Sequence, residues 1–153
     1  MSELKRQVPV EDFNPSAGAL PPEDSRRSVV NIVLWVVQGV LAALFLASGG
    51  IKLAQSRKQL AGRGMDYVED FSGGVVKTIG AVEVLAAVGL VLPGLTGIAT
   101  ILVPLAASGL VLVMIGAAIT HIRRGEYQGV AINIALLVLA AVAAWGRFGP
   151  YAF

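Results

Sequence analysis

The chain contains no cysteine and a single histidine among 153 residues. The first absence removes disulfides, thiolate metal sites, iron–sulfur clusters and any thiol redox chemistry carried by the chain itself. The second, with no HxxH, HExxH or ExxH spacing, leaves no basis for a metal site built from its own side chains. Charge is scarce too: 14% of residues are Asp, Glu, Lys or Arg, and the net charge is +2. The basic residues interleave with acids and form no tract alternating with aromatics, which excludes nucleic acid as a partner.

What is present is apolar. A hydrophobic content of 56% exceeds what a soluble domain of this length can hide, so the lipid bilayer is the expected solvent. The pattern predicts an all-α integral membrane four-helix bundle over residues 29–147, with antiparallel spans at about 29–54, 75–92, 98–122 and 130–146. Residues 1–28 read as a polar, extended or disordered tail broken by Pro9, Pro15, Pro21 and Pro22, and residues 148–153 as a short C-terminal end. The tail is not a cleavable signal, because the apolar run starts only after Arg26 and Arg27 and no small-residue cleavage site closes it. Two readings of it stay open: a solvated tail, or a segment docked on a partner around Pro9, Phe13 and Pro15.

The run from Val75 to Pro93 carries one acid, Glu83, near its middle. An ionised carboxylate at the bilayer centre costs at least ~2.5 kcal/mol, so Glu83 is expected to face other helices or a wet cavity, or to keep its proton. Pro93 and Gly94 are read as the stop of this span, and residues 93–97 as the tight connector of a hairpin with the next. Pro104 either kinks the third span or is absorbed in its first turns. In the first span Gln38, Leu41, Phe45, Ser48 and Lys52 recur at helical spacing and should face the bundle, leaving Val36, Val40 and Leu44 for lipid. Gly39, Ala43 and Ala47 form a small-residue stripe suited to close helix approach, and a glycine one turn from Glu83, Gly80, does the same for the second span. Residues 55–74 read as a short amphipathic interfacial segment with Tyr67 and Phe71 at headgroup level. Trp35, Trp145, Phe148 and Tyr151 read as interface aromatics.

Threading the spans antiparallel places Lys52, Lys77, His121 and Asn133 at similar depth on one side. Glu83 then lies about 9 Å deeper than Lys77. Lys77 is about 120° around the helix from Glu83, given some 100° per residue. The expected partners of the acid are therefore Lys52 and His121, and the candidate polar pocket is Lys52, Glu83, His121 and Asn133. Lys77 and Arg147 are secondary polar positions, and Arg147 is expected to stand alone at the opposite end. Each member has a plain structural reading beside the functional one: a buried ion pair for Glu83, a helix C-terminal cap for His121, snorkelling for Lys52 and topology charges for Arg123 and Arg124.

From Phe45 to Arg147 the chain resembles the DoxX family of small four-helix membrane proteins. The residues that carry the likeness are FLASGGIKL, TIGAVEVLAAVGLVLP, MIGAAITHIRRGE and the span from Asn133 to Arg147, in that order. The resemblance implies an association with membrane redox and quinol-oxidising complexes and with thiol or oxidant homeostasis. With no cysteine here, a thiol role would have to act through a partner.

Two functions follow as expectations. One is an accessory, non-catalytic membrane subunit that docks on a larger respiratory or redox complex and assembles or stabilises it. The other is a quinone-reactive or quinol-oxidising protein in which Glu83 and His121 handle protons while a partner subunit holds the redox cofactor. In both the chain binds no cofactor of its own, and a quinone is the small molecule to be considered. A third reading, a proton or small-molecule pathway, has no inverted repeat to support it. The expected location is the inner or plasma membrane of the cell, multi-pass, with both termini on one side. Positive-inside counting favours cytoplasmic connectors.

Overall fold

The structure is a computed structural model that describes residues 22–153. The suggested docking segment around Pro9, Phe13 and Pro15 lies outside the described residues. Among the described residues there are five α-helices, one 3₁₀ turn and no strand: α1 (Glu23–Ala54), α2 (Arg57–Ala61), the 3₁₀ turn (Asp66–Asp70), α3 (Gly73–Thr96), α4 (Leu102–Arg124) and α5 (Tyr127–Phe148). Helices α1, α3, α4 and α5 are each long and apolar enough to cross a membrane. An all-α membrane bundle is therefore the fold.

α1 packs along α3 and α4 along α5, the two pairs meet through α3 and α4, and α1 closes the ring on α5. The shared core is Leu41, Phe45, Leu90, Leu110 and Met114 with Ala86, Ala87, Ala107, Ala140 and Ala143. Small residues on α3, α4 and α5 let the axes approach, which matters where burial of apolar surface gives no preference between lipid and protein. The outer faces stay apolar: Leu85 and Leu112 are each 70% exposed. Val36, Val40 and Leu44 are also outward, as the stripe on α1 predicts.

Several boundaries move, each for a local reason. α1 begins at Glu23 instead of residue 29, because Pro22 precedes it, Glu23 and Asp24 complement its positive end, and Glu23 lies one turn from Arg27, 3.7 Å away. α3 begins at Gly73, where the Ser72 hydroxyl accepts from the Val75 amide. Pro93 does not stop it. The helix runs through Pro93 and Gly94 to Thr96, whose hydroxyl donates to the Leu92 carbonyl at 3.0 Å, and ends at Gly97 with φ 69°. A proline deletes one ladder hydrogen bond, a loss that a buried, packed helix tolerates near its end. Residues 98–101 form the turn, with Ala99 at φ 51°, so α4 starts at Leu102 and Pro104 falls in its first turn.

The close approach of α1 also lies elsewhere than expected. A Cβ on Gly39 would meet nothing within 4 Å, and Ala43 and Ala47 are exposed. Contact with α3 is made instead at Gly49 and Gly80. A Cβ on Gly49 would sit 2.6 Å from the Gly80 carbonyl oxygen, and one on Gly80 2.9 Å from that of Gly49. The backbones touch one turn from Lys52 and Glu83.

Candidate functional site

The crossing at Gly49 and Gly80 fixes the centre of the site. It brings Lys52, in the last turn of α1, to Glu83 in the middle of α3. The Lys52 ammonium donates to both carboxylate oxygens of Glu83 at 2.7 Å and to the Ser48 hydroxyl at 2.7 Å. Its three N–H groups are thereby committed. Lys52 is 4% exposed and Glu83 3%, so the pair is desolvated and each partner depends on the other. Lys52 does not snorkel; it turns inward.

Beside this pair lies a cavity of about 560 Å³, with walls supplied by α1, α3, α4, α5 and the connector. Lys52, Glu83, His121 and Asn133 all line it. Most of the remaining wall is apolar, including Leu44, Phe45, Ile79, Met114, Ile132 and Leu136, with Ser48 and Thr120 as further polar groups. Tyr67 and Phe71 also line it, so the connector aromatics cover the cavity. Leu60, Val68 and Val76 form a small core of their own beneath that connector and hold it on the bundle.

His121 does not touch the Lys52–Glu83 pair. Its Nδ1 lies 2.6 Å from Glu126 Oε2, and its ring packs edge-on against Tyr67 at 5.2 Å between centroids. Gly129, in the first turn of α5, makes room for the ring: a Cβ there would lie 2.5 Å from Nδ1, so the imidazole would have to shift. Arg124 donates from Nε to Glu126 Oε1 at 2.6 Å and from a terminal nitrogen to Asp70 at 3.0 Å. The hydrogen bond from Arg124, and then that from His121, holds the Glu126 carboxyl below its ordinary range. With Nδ1–H directed at a carboxylate, a neutral His121 keeps Nε2 as a proton acceptor. Asn133 donates to the Gly129 carbonyl at 2.8 Å, which orients its amide on the α5 wall.

The secondary positions resolve differently. Lys77 donates to the carbonyls of Leu53 and Gln55 at 2.5 and 2.8 Å, closing the C-terminal end of α1. Arg147 is not alone. It is buried at the other end of the bundle, where it donates to Gln38 Oε1 at 3.0 and 3.2 Å, to Asn31 Oδ1 at 2.8 Å and to the Tyr151 carbonyl at 2.9 Å. Its guanidinium also lies 4.1 Å from the Phe153 ring centre and 5.5 Å from that of Trp35. These contacts bring the start of α1 and the end of α5 to the same end of the bundle.

A family model described as DoxX-like matches residues 36–143. The chain belongs to the DoxX-like family. Comparisons with curated proteins and with solved structures gave no match.

Within this DoxX-like bundle three participants were not assigned from the sequence. Glu126 orients His121, Arg124 holds Glu126 where a plain topology charge was expected, and Asn31 supports Arg147. Glu126 follows His121 by five residues across a left-handed Gly125, φ 68°, so the chain folds the acid back over the helix end. The GE pair after THIRR carried that signal. Asn31 carried none, since its role depends on α5.

Proposed function

We propose that this DoxX-like protein is a membrane subunit that binds the reduced, hydroxyl-bearing headgroup of a quinol in the cavity between α1, α3, α4 and α5. The observation that carries this reading is the commitment of all three Lys52 N–H groups to Ser48 and Glu83, at 2.7 Å each. The deep polar end of an otherwise apolar cavity then presents carboxylate lone pairs, and His121 offers Nε2 at its own position on the wall. Hydrogen-bond acceptors suit the two O–H groups of a quinol better than the two carbonyls of a quinone. A volume of about 560 Å³ lies within the usual range for small-molecule sites, and apolar walls suit an isoprenoid or alkyl substituent.

Oxidation of a quinol releases two protons and two electrons. Glu83 and His121 can accept protons. The electrons would pass to a flavin, haem or metal centre of a partner subunit, which is where the accessory, complex-docking character of the protein enters. One histidine and no cysteine leave this chain little with which to hold such a centre. The setting is a cell membrane, inner or plasma, with the Lys52–His121 end towards the cytoplasm by the positive-inside count.

The test is direct binding of a short-chain benzoquinol and its quinone to the purified full chain in nanodiscs, by calorimetry under anaerobic conditions. Saturable binding at one site, with the quinol about tenfold tighter, is expected, which is the effect of one charge-assisted hydrogen bond. No saturable binding of either form would overturn the proposal. Tighter binding of the quinone would overturn its choice of redox state.

A further inference from the structure

At the end of the bundle opposite the quinol cavity, a second cavity of about 300 Å³ is lined by Arg27, Ser28, Asn31, Arg147 and Tyr151, among others. It adjoins a third, of about 430 Å³, which shares Arg27 and Tyr151 and adds Arg26 and Glu23. The side chains of Arg26, Arg27, Arg147 and Glu23 thus line neighbouring cavities, the first of which also takes in Phe153.

The charge balance is the unusual feature. Arg147 is 4% exposed, and every acceptor it reaches is neutral: two side-chain amide oxygens and a carbonyl. Among the described residues no carboxylate pairs with it. Glu23 sits against Arg27 at a loose 3.7 Å, with its side chain 86% exposed. A desolvated cation held by dipoles and aromatic faces is short of counter-charge, whereas the Lys52–Glu83 pair at the other end neutralises itself. Four hydrogen bonds account for four of the five Arg147 N–H groups, leaving one donor of the fork. Arg27, which is accessible, and the Ser28 hydroxyl stand on the same wall.

Depth decides between anions. α1 has 32 residues, about 48 Å at 1.5 Å each, against a hydrocarbon core of roughly 30 Å. Its first turns, which carry Arg27, Ser28 and Asn31, therefore lie at headgroup level beside the end of α5. Arginine forks match phosphate oxygens in geometry as well as charge.

We propose that this end of the bundle binds the phosphate oxyanion of an anionic phospholipid, held between Arg27 and Arg147 with Ser28 as a further donor. The site is separate from the quinol cavity and does not depend on its function.

The experiment is native mass spectrometry of the full chain in detergent, titrated with phosphatidylglycerol or phosphatidylcholine, with thermal melting in inorganic phosphate as a parallel arm. One phosphatidylglycerol retained about tenfold more tightly than phosphatidylcholine, with that preference lost in Arg27→Gln, is the expected result. Arg27 is exposed, so this variant keeps the fold; Arg147→Lys, which keeps the charge and loses the fork, should weaken retention too. A rise in melting temperature with inorganic phosphate, abolished by Arg27→Gln, in the absence of any lipid preference would keep the oxyanion site and assign it to free phosphate. Equal retention of the two lipids with no phosphate effect overturns the proposal. It is likewise overturned if lipid binds only after Glu11→Gln and Asp12→Asn in the full chain, because the counter-charge is then the protein's own tail.

Discussion

Lys52 reaches both carboxylate oxygens of Glu83 at 2.7 Å, across a helix crossing where Gly49 and Gly80 bring the α1 and α3 backbones into contact. Thirty-one positions separate the two residues in sequence, and the pair is almost fully withdrawn from solvent. Its energetics and the shape of the cavity beside it are therefore coupled to one glycine contact.

Removing one member of this pair leaves the other buried without a counter-charge. Lys52→Met and Glu83→Leu should each lower stability by about 3–5 kcal/mol, while the double variant should lose much less than the sum. Chemical or thermal unfolding in detergent, read as a double-mutant cycle, checks this. Additive losses would mean that the pair is not coupled in the folded protein.

Gly80→Ala pushes a methyl group to 2.9 Å from the Gly49 carbonyl oxygen, and a cost of about 1–3 kcal/mol is expected from overpacking. Gly39→Ala, whose new methyl would meet nothing within 4 Å, is the matched control and should leave the unfolding midpoint essentially unchanged or slightly raised. Similar midpoints for the two variants would contradict the crossing described here.

The Glu126 carboxyl is held below its ordinary range by Arg124 and then by His121. A depressed carboxyl contributes stability that is present above its unfolded value, near 4.5, and lost as pH falls through the lower folded value. Melting temperature between pH 3 and 7 should therefore fall on the acid side, and Glu126→Gln should reduce that slope. In the same variant, nitrogen chemical shifts of His121 should show a loss of the single Nδ1–H tautomer, since the acceptor that selects it has lost its charge. An unchanged tautomer would detach Glu126 from any part in orienting the ring.

Ala117 lies on the α4 wall of the cavity proposed to take the quinol, away from the Lys52–Glu83 pair's hydrogen bonds. Ala117→Phe should fill part of that space and weaken quinol binding by at least tenfold, with the helical circular dichroism spectrum retained. Calorimetry on the folded variant is the check, and undiminished affinity would place the ligand elsewhere.

Much of this architecture was legible in the chain. Four apolar runs, the inward stripe of Gln38, Leu41, Phe45 and Lys52, and Lys52 as one of the two partners expected for Glu83 follow from helical period and from the cost of an isolated charge in lipid; the other, His121, pairs with Glu126 instead. Pro93 was misleading because the cost of a proline depends on how its helix is packed and where in the helix it falls. The stripe of Gly39, Ala43 and Ala47 was misleading because small residues permit contact without requiring it.

The sequence by itself determined the solvent, the number of spans and the need for Glu83 to be compensated, since each depends on composition or on a period along one helix. Tertiary structure decided that Gly49 and Gly80 make the crossing, that His121 turns to Glu126 while sharing a cavity with Glu83, and that Arg147 is gathered in by Asn31, Gln38 and Phe153. Those outcomes depend on the rotation and depth of one helix against another. In a bilayer that is set by side-chain fit and polar pairing between elements far apart in the chain, which no single helix's pattern contains.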